Sequence, residues 1–568
     1  MDRERYLHIS NVTRGISKAD LVLKNVNVIN VFSEEIYQAD IALCDGIIAG
    51  VGCYAGVEEI DLHGFYASPG FIDCHLHLES ALVTPRESVT LAARRGTTTF
   101  IVDPHESANV AGSAGIDYIL EQTEEVPANV FLMLPSCVPA SDIDNNGAVL
   151  TARDLAPYLE NDRILGLGEV MNVGAVINGE KEMHEKLNLF ATKVIDGHAP
   201  SLDPYDLSAY VLAGISTNHE CTDFPDALEQ IRQGITVLIR EGSAARNLEA
   251  LVEGIIQHGT DTSNFCFCTD DKHTEGITKD GHIDFCIRKA VKLGLDPIKA
   301  IKMATIQSAR CYGLRHLGAI APGYQGDLVI LDNLQDLTIH QVYHKGVLVD
   351  PDGPIAIKPC PEELKSTVQR APLTPSALVL EKPWDHEAFP VIKVLEGQIV
   401  TEQVLAEIPG QRFFEPNEVY KKIAVIERHG QTGQIGIGVI TSFNIQGGAV
   451  ASSVSHDSHN IIVIGDNDQD MVLAVNELLR TQGGYTIVEH GGVYDTLELP
   501  ILGLMSEAGY HHVTPKLAQM IDKVHQMGVS QEIDPFTVLS FMALTVIPEL
   551  RITPRGIYHV GRQQLLTP

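Results

Sequence analysis

Between residues 66 and 271, short apolar runs rich in β-branched residues recur eight times, and each stops on polar or ionisable residues. They are YASPGFIDCHLH, TTTFIVDPH, NVFLMLPS, RILGLGEV, KVIDGHA, AGISTNHE, ITVLIREG and NFCFCTDD. Amphipathic stretches such as PRESVTLAARRG and SAARNLEALVEGIIQHG lie between them. A spacing of about 20 to 35 residues leaves room for one helix per strand, the requirement of a parallel βα repeat. Eight such units predict a (β/α)8 barrel over residues 70–315.

The flanks read differently. Residues 21–69 carry quick alternation and turn residues (LVLKNVNVINV, DIALCDGIIAGVG), and the same style returns in GDLVILD and IHQVYHKGVLV. Residues 1–69 and 316–365 are therefore expected to build one small β-sandwich domain from both sides of the barrel. After the proline-rich stretch KPCPEELKSTVQRAPLTPSALVL, strands and helices mix again, predicting a separate α+β domain over 366–568. The whole chain is read as α/β.

A net charge of −33 argues against nucleic acid or an acidic membrane surface as partner. No apolar run reaches 18 residues, and MDRERYLHIS lacks a secretory h-region, so a cytoplasmic protein is expected. The ten cysteines include no C-x-x-C pair and read as reduced thiols.

In a βα barrel the strand C-termini form one face, and that face carries the chemistry. The first run ends in His75 and His77, which point to the same side because side chains at i and i+2 share a face of a strand. The fourth ends in Glu169, the fifth in His198, the sixth in His219 and the eighth in Asp270 and Asp271. Imidazole and carboxylate are the ligands divalent transition metals take, and six of them suit two ions. The expected arrangement is His75, His77 and Asp270 on one ion, His198 and His219 on the other, and Glu169 bridging. Two close ions acidify a water, and a neighbouring carboxylate, Asp270, can carry its proton to a leaving group. Asp270, Glu169 and His219 form the expected catalytic group. Glu79, His105, Asn172 and Asp271 are the expected substrate contacts. The loop SHDSHN supplies His456 and His459. A turn ahead of the strand NIIVIG accounts for that H-x-x-H, with a lid or rim contact as the functional alternative.

These residues also resemble a known family. PGFIDCHLHLES, GLGEVMN, DGHAP, TNHE and CTDDKH are similar to the amidohydrolase superfamily. HLHLESALVTP, GTTTFIVDPHESANVAG, CTDDKHTEG and the C-terminal FMALTVIPELRITPRG resemble the bacterial adenine deaminases within it. The resemblance implies hydrolysis of adenine to hypoxanthine and ammonia by attack of metal-activated hydroxide at C6. It also implies two divalent ions per subunit, manganese first with iron or zinc as alternatives, and a homo-oligomer. Many superfamily members bridge their metals with a carboxylated lysine. No lysine stands near the end of the fourth strand here, in keeping with Glu169 as the bridge. The alternative is another amidohydrolase acting on a modified amino-purine or a cyclic amide. A non-catalytic relative would be expected to have lost ligands, and here every position is filled.

Overall fold

The computed structural model describes residues 1–382 and 388–566. All eight expected barrel strands form: β1 (Phe71–His77), β2 (Thr97–Val102), β3 (Asn129–Leu134), β4 (Ile164–Val170), β5 (Val194–Gly197), β6 (Thr217–Asn218), β7 (Thr236–Arg240) and β8 (Phe265–Cys268). β1 to β5 pair in parallel in sequence order, as do β6 to β8. The Ser216 N–H donates to the Ile195 carbonyl at 3.0 Å and joins the two groups. The bridge Asp270–Asp271, one residue beyond β8, pairs with Leu76 and His77 and closes the ring. Burial on both faces explains why these strands read as continuous apolar runs rather than alternating ones.

An anchor below the mouth fixes that closure. One oxygen of Asp73 accepts the backbone N–H groups of His75 (3.3 Å) and Thr269 (3.1 Å), and the other accepts the Thr269 hydroxyl at 2.6 Å. The first and last strands thus share one fully buried carboxyl group.

A second sheet takes strands from both sides of the barrel segment. Leu328–Leu331 pairs with Tyr66–Pro69, which pairs with the long strand Ala19–Asn30. Tyr66–Pro69 runs straight into β1, so this sheet continues into the barrel without a linker. Beyond residue 388 an eight-stranded mixed sheet forms, with Tyr420–Ile426 and Ile461–Gly465 paired in its middle. Helix Asp468–Thr481 is capped by Asn467, whose side chain accepts the Asp470 N–H. Its Met471, Ala474, Val475 and Leu478 follow the spacing of one helix face and pack on Ala424, Ala449 and Val463. No helix among the described residues is long and apolar enough to cross a membrane.

Candidate active site

The strand ends converge as the pattern required. Glu169 is buried at the centre, and its two oxygens face different partners. Oε1 lies 3.6 Å from His75 Nε2 and 3.3 Å from His77 Nε2. Oε2 lies 2.6 Å from His198 Nδ1 and 3.3 Å from His219 Nε2. Asp270 Oδ1 completes the first group, 3.6 Å from His75 Nε2 and 3.0 Å from His77 Nε2. Most of these gaps are those of neighbouring ligands around an ion with bonds of roughly 2.0–2.2 Å.

Backbone and buried acids aim this set. The Nδ1 of His77 donates to the Asp103 carbonyl at 2.9 Å, leaving the Nε2 lone pair for a ligand. One oxygen of Asp103 accepts the Glu169 N–H at 2.9 Å and the other accepts the His105 N–H at 3.1 Å. Asp270 adopts φ +57°, in the left-handed region that non-glycine residues visit at a cost of roughly 1–2 kcal/mol. That turn lifts its carboxylate off the end of β8 into the mouth. Burial works to raise Asp270 and Glu169. The surrounding histidines, and Arg240 for Asp270, overcome it and hold both well below the ordinary carboxylate range.

The residues fit divalent metal. The donor set is five imidazoles and carboxylates gathered around a sixth, and His75 Nε2, which faces both Glu169 and Asp270, is buried without a hydrogen-bond partner. Both oxygens of the central carboxylate are directed at separate histidine pairs, as a bridge requires.

A narrow cavity opens on this set. The barrel lines it with His77, His105, Glu169, His198, His219 and Asp270, and the C-terminal domain covers it with Ile399, His456, Asp457, Phe541, Leu544 and Ile547. A larger cavity of about 790 Å³ lies elsewhere, beside Arg94, Arg95 and Arg288, and contains none of these ligands.

Residues 66–349 match the amidohydrolase family, and residues 398–564 match the adenine deaminase C-terminal domain. The adenine deaminase of Desulfitobacterium hafniense (strain Y51) is 54% identical over 97% of this chain and 97% of its own. Those of Clostridium acetobutylicum and Petrotoga mobilis are 45% and 43% identical, each over 97% of its own length and 96% and 97% of this chain. The chain belongs to the adenine deaminase family of amidohydrolases.

The expected substrate contacts divide. His105 lines the cavity, with Nδ1 3.4 Å from Glu169 Oε1. Asp271 lines it too and accepts a hydrogen bond from the Ser80 hydroxyl. Glu79 and Asn172 stand apart from it. Glu79 is buried behind the mouth, where Oε1 accepts the Ser107 N–H at 3.0 Å. Asn172 caps helix Val173–Ile177, its side chain accepting the Ala175 N–H at 2.9 Å. A capping oxygen is already engaged and points along its own helix.

Arg240 was not read from sequence, nor was the barrel partner of His456 and His459, for which a lid or rim contact was the functional alternative. Arg240, at the end of β7, donates to Asp270 Oδ2 at 2.9 Å and also pairs with Glu220. Its position at a strand C-terminus was the available signal. His456 and His459, whose loop a simple turn could have explained, are buried and both bind Glu106 of the barrel. His456 Nδ1 does so at 2.5 Å, and His459 uses Nε2. The Nδ1 of His459 accepts the Ser455 N–H at 3.2 Å, so its proton sits on Nε2 and is donated to Glu106. This is a hydrogen-bonded clasp between two domains.

Proposed function

We propose that the chain hydrolyses adenine to hypoxanthine and ammonia at a pair of divalent ions. The ligands would be His75, His77 and Asp270 on one side and His198 and His219 on the other, with Glu169 between. The observation that carries this reading is the division of Glu169, one oxygen to each histidine pair. When bound, divalent ions supply a water acidic enough to act as hydroxide near neutral pH.

The chain's own residues do the rest. Asp270 accepts the proton of the attacking water and returns it to the amino nitrogen that leaves C6 as ammonia. Arg240 keeps Asp270 ionised and turned toward the cavity. Met171, Phe541, Leu544 and Ile547 offer apolar surface to the purine faces and exclude bulk water. His105 stands between the ligand set and the roof as a substrate contact, with Asp271 at the rim. Manganese is our preferred metal because the resemblance to the adenine deaminases implies it; the imidazole and carboxylate ligands suit iron and zinc as well. We further infer a cytoplasmic homo-oligomer, divided into residues 1–69 plus 316–365, 70–315 and 366–568. The relatives named above are adenine deaminases matched along almost their full length, the C-terminal domain included. That supports adenine over a cyclic amide.

The deciding experiment is ammonia release by manganese-reconstituted protein offered adenine and adenosine in parallel. Ammonia and hypoxanthine from adenine are expected. Their absence with metal bound would end the reading. Glu169→Gln is expected to lower metal content and activity together, and normal activity with one bound ion would remove the bridge.

A further inference from the structure

An enzyme acting on a free base must recognise what a nucleoside lacks, the imidazole N–H at N9. In adenine this group lies at the far end of the ring from C6. With C6 at the ligand set, its reader must stand across the cavity from the metals and must be an acceptor.

Nearly every polar group in the cavity wall is already engaged. His77, His198, His219, Glu169 and Asp270 form the ligand set. Glu220 is paired with Arg240, and Asp271 with Ser80. Glu106 is held by two histidines. Asp457 is different. It is 5% exposed, and its Oδ2 is buried without a hydrogen-bond partner. Among the described residues it is the one carboxylate in the cavity wall with such an oxygen. A buried polar atom left unpaired costs roughly 1–3 kcal/mol, so it calls for a partner.

Its placement suits that partner. Asp457 comes from the roof, opposite the barrel ligands. His105 lies between them, with Nδ1 3.4 Å from Glu169 Oε1 and Nε2 3.5 Å from Glu106 Oε1 and 3.9 Å from Asp457 Oδ1. Asp457 and Glu169 therefore lie on different sides of the His105 ring while lining the same cavity. Its loop is rigid. The residue before it and the residue two after it clasp Glu106, and Asn460 Nδ2 donates to the Asn145 carbonyl at 2.9 Å.

We propose that Asp457 accepts the N9–H of the purine and so selects the free base over its N9-substituted forms. This rests on the adenine reading above and deepens it. The role belongs to the C-terminal domain, so the domain completes the substrate site as well as covering it.

The test is the competitive inhibition of the metal-loaded enzyme by purine and by 9-methylpurine. Wild type is expected to bind purine more tightly. Asp457→Ala is expected to weaken purine on the order of 10- to 100-fold, the worth of a hydrogen bond to a charged group, and to leave 9-methylpurine within about twofold. Asp457→Asn keeps the size and an acceptor without the charge, and is expected to fall between. Metal content and melting temperature should stay at wild-type values. Equal loss for both inhibitors, or an unchanged purine preference in both variants, would overturn the proposal. If wild type released no ammonia from adenine, the adenine reading itself would fail, independently of either variant.

Discussion

At the scale of single residues, the site depends on charges kept in fixed states by burial. Asp270 is ionised because His75, His77 and Arg240 outweigh its desolvation. Asp270→Asn keeps the shape and removes the base. Turnover is expected to fall on the order of 10²- to 10⁴-fold with circular dichroism unchanged; near-normal turnover would rule out proton transfer by this group. His282 shows the opposite state. It is buried below the mouth, with Nδ1 3.0 Å from the Thr97 hydroxyl and Nε2 3.4 Å from Asp73. Burial, helped by Lys272, pushes it down to about 3, so it stays neutral, while burial holds the neighbouring Asp73 up at about 7. Above its ordinary value of 6.5, His282 is neutral folded and unfolded and adds no pH dependence. As pH falls from there toward about 3, only the unfolded chain takes the proton, and stability is lost across that window. His282→Gln removes this slope. Its urea midpoint relative to wild type is expected to rise between pH 7.5 and pH 5, and an unchanged difference would refute the neutral buried histidine.

At the scale of elements, close approach at the end of β4 sets the site. A Cβ on Gly168 would lie 2.1 Å from Asp103 Oδ2, the atom that accepts the Glu169 N–H. Gly168→Ala must displace Asp103 and with it both Glu169 and His105. Metal content and kcat/KM are expected to fall while the barrel stays folded; full metal loading with wild-type kinetics would show that the Asp103 support is dispensable. The strands themselves were legible because buried parallel strands are short, apolar and β-branched, and because the chemistry sits at their ends. The convergence of His75, His77, Glu169, His198, His219 and Asp270 was legible from that rule. Glu79 and Asn172 could not be placed, because backbone N–H groups nearby claimed their side chains. The clasp of His456 and His459 on Glu106 joins residues about 350 apart in sequence. No local period marks such a pair, and a histidine in a loop reads the same whether it meets solvent or a partner.

At the scale of the molecule, the barrel and the C-terminal domain are not independent bodies. A single apolar cluster runs from Leu76, Val102 and Leu167 of the barrel to Val391, Ile462 and Ile552 of the last domain. Backbone bonds cross the same boundary, the Ser506 N–H donating to the Leu82 carbonyl at 3.0 Å. On the other side, Ile29 and Val31 of the flanking sheet share a cluster with Phe265 and Phe267 of β8. Removing either neighbour would expose a barrel wall that packs on it, and apolar area returned to water costs about 25 cal/mol per Å². Domains joined by a large apolar interface lose the freedom to unfold separately. Calorimetry of the metal-loaded protein is therefore expected to show one transition. Two resolved transitions, the lower one abolishing activity while the barrel ligands still hold metal, would mean that the roof opens as its own unit. The substrate site would then be assembled only when the roof is closed.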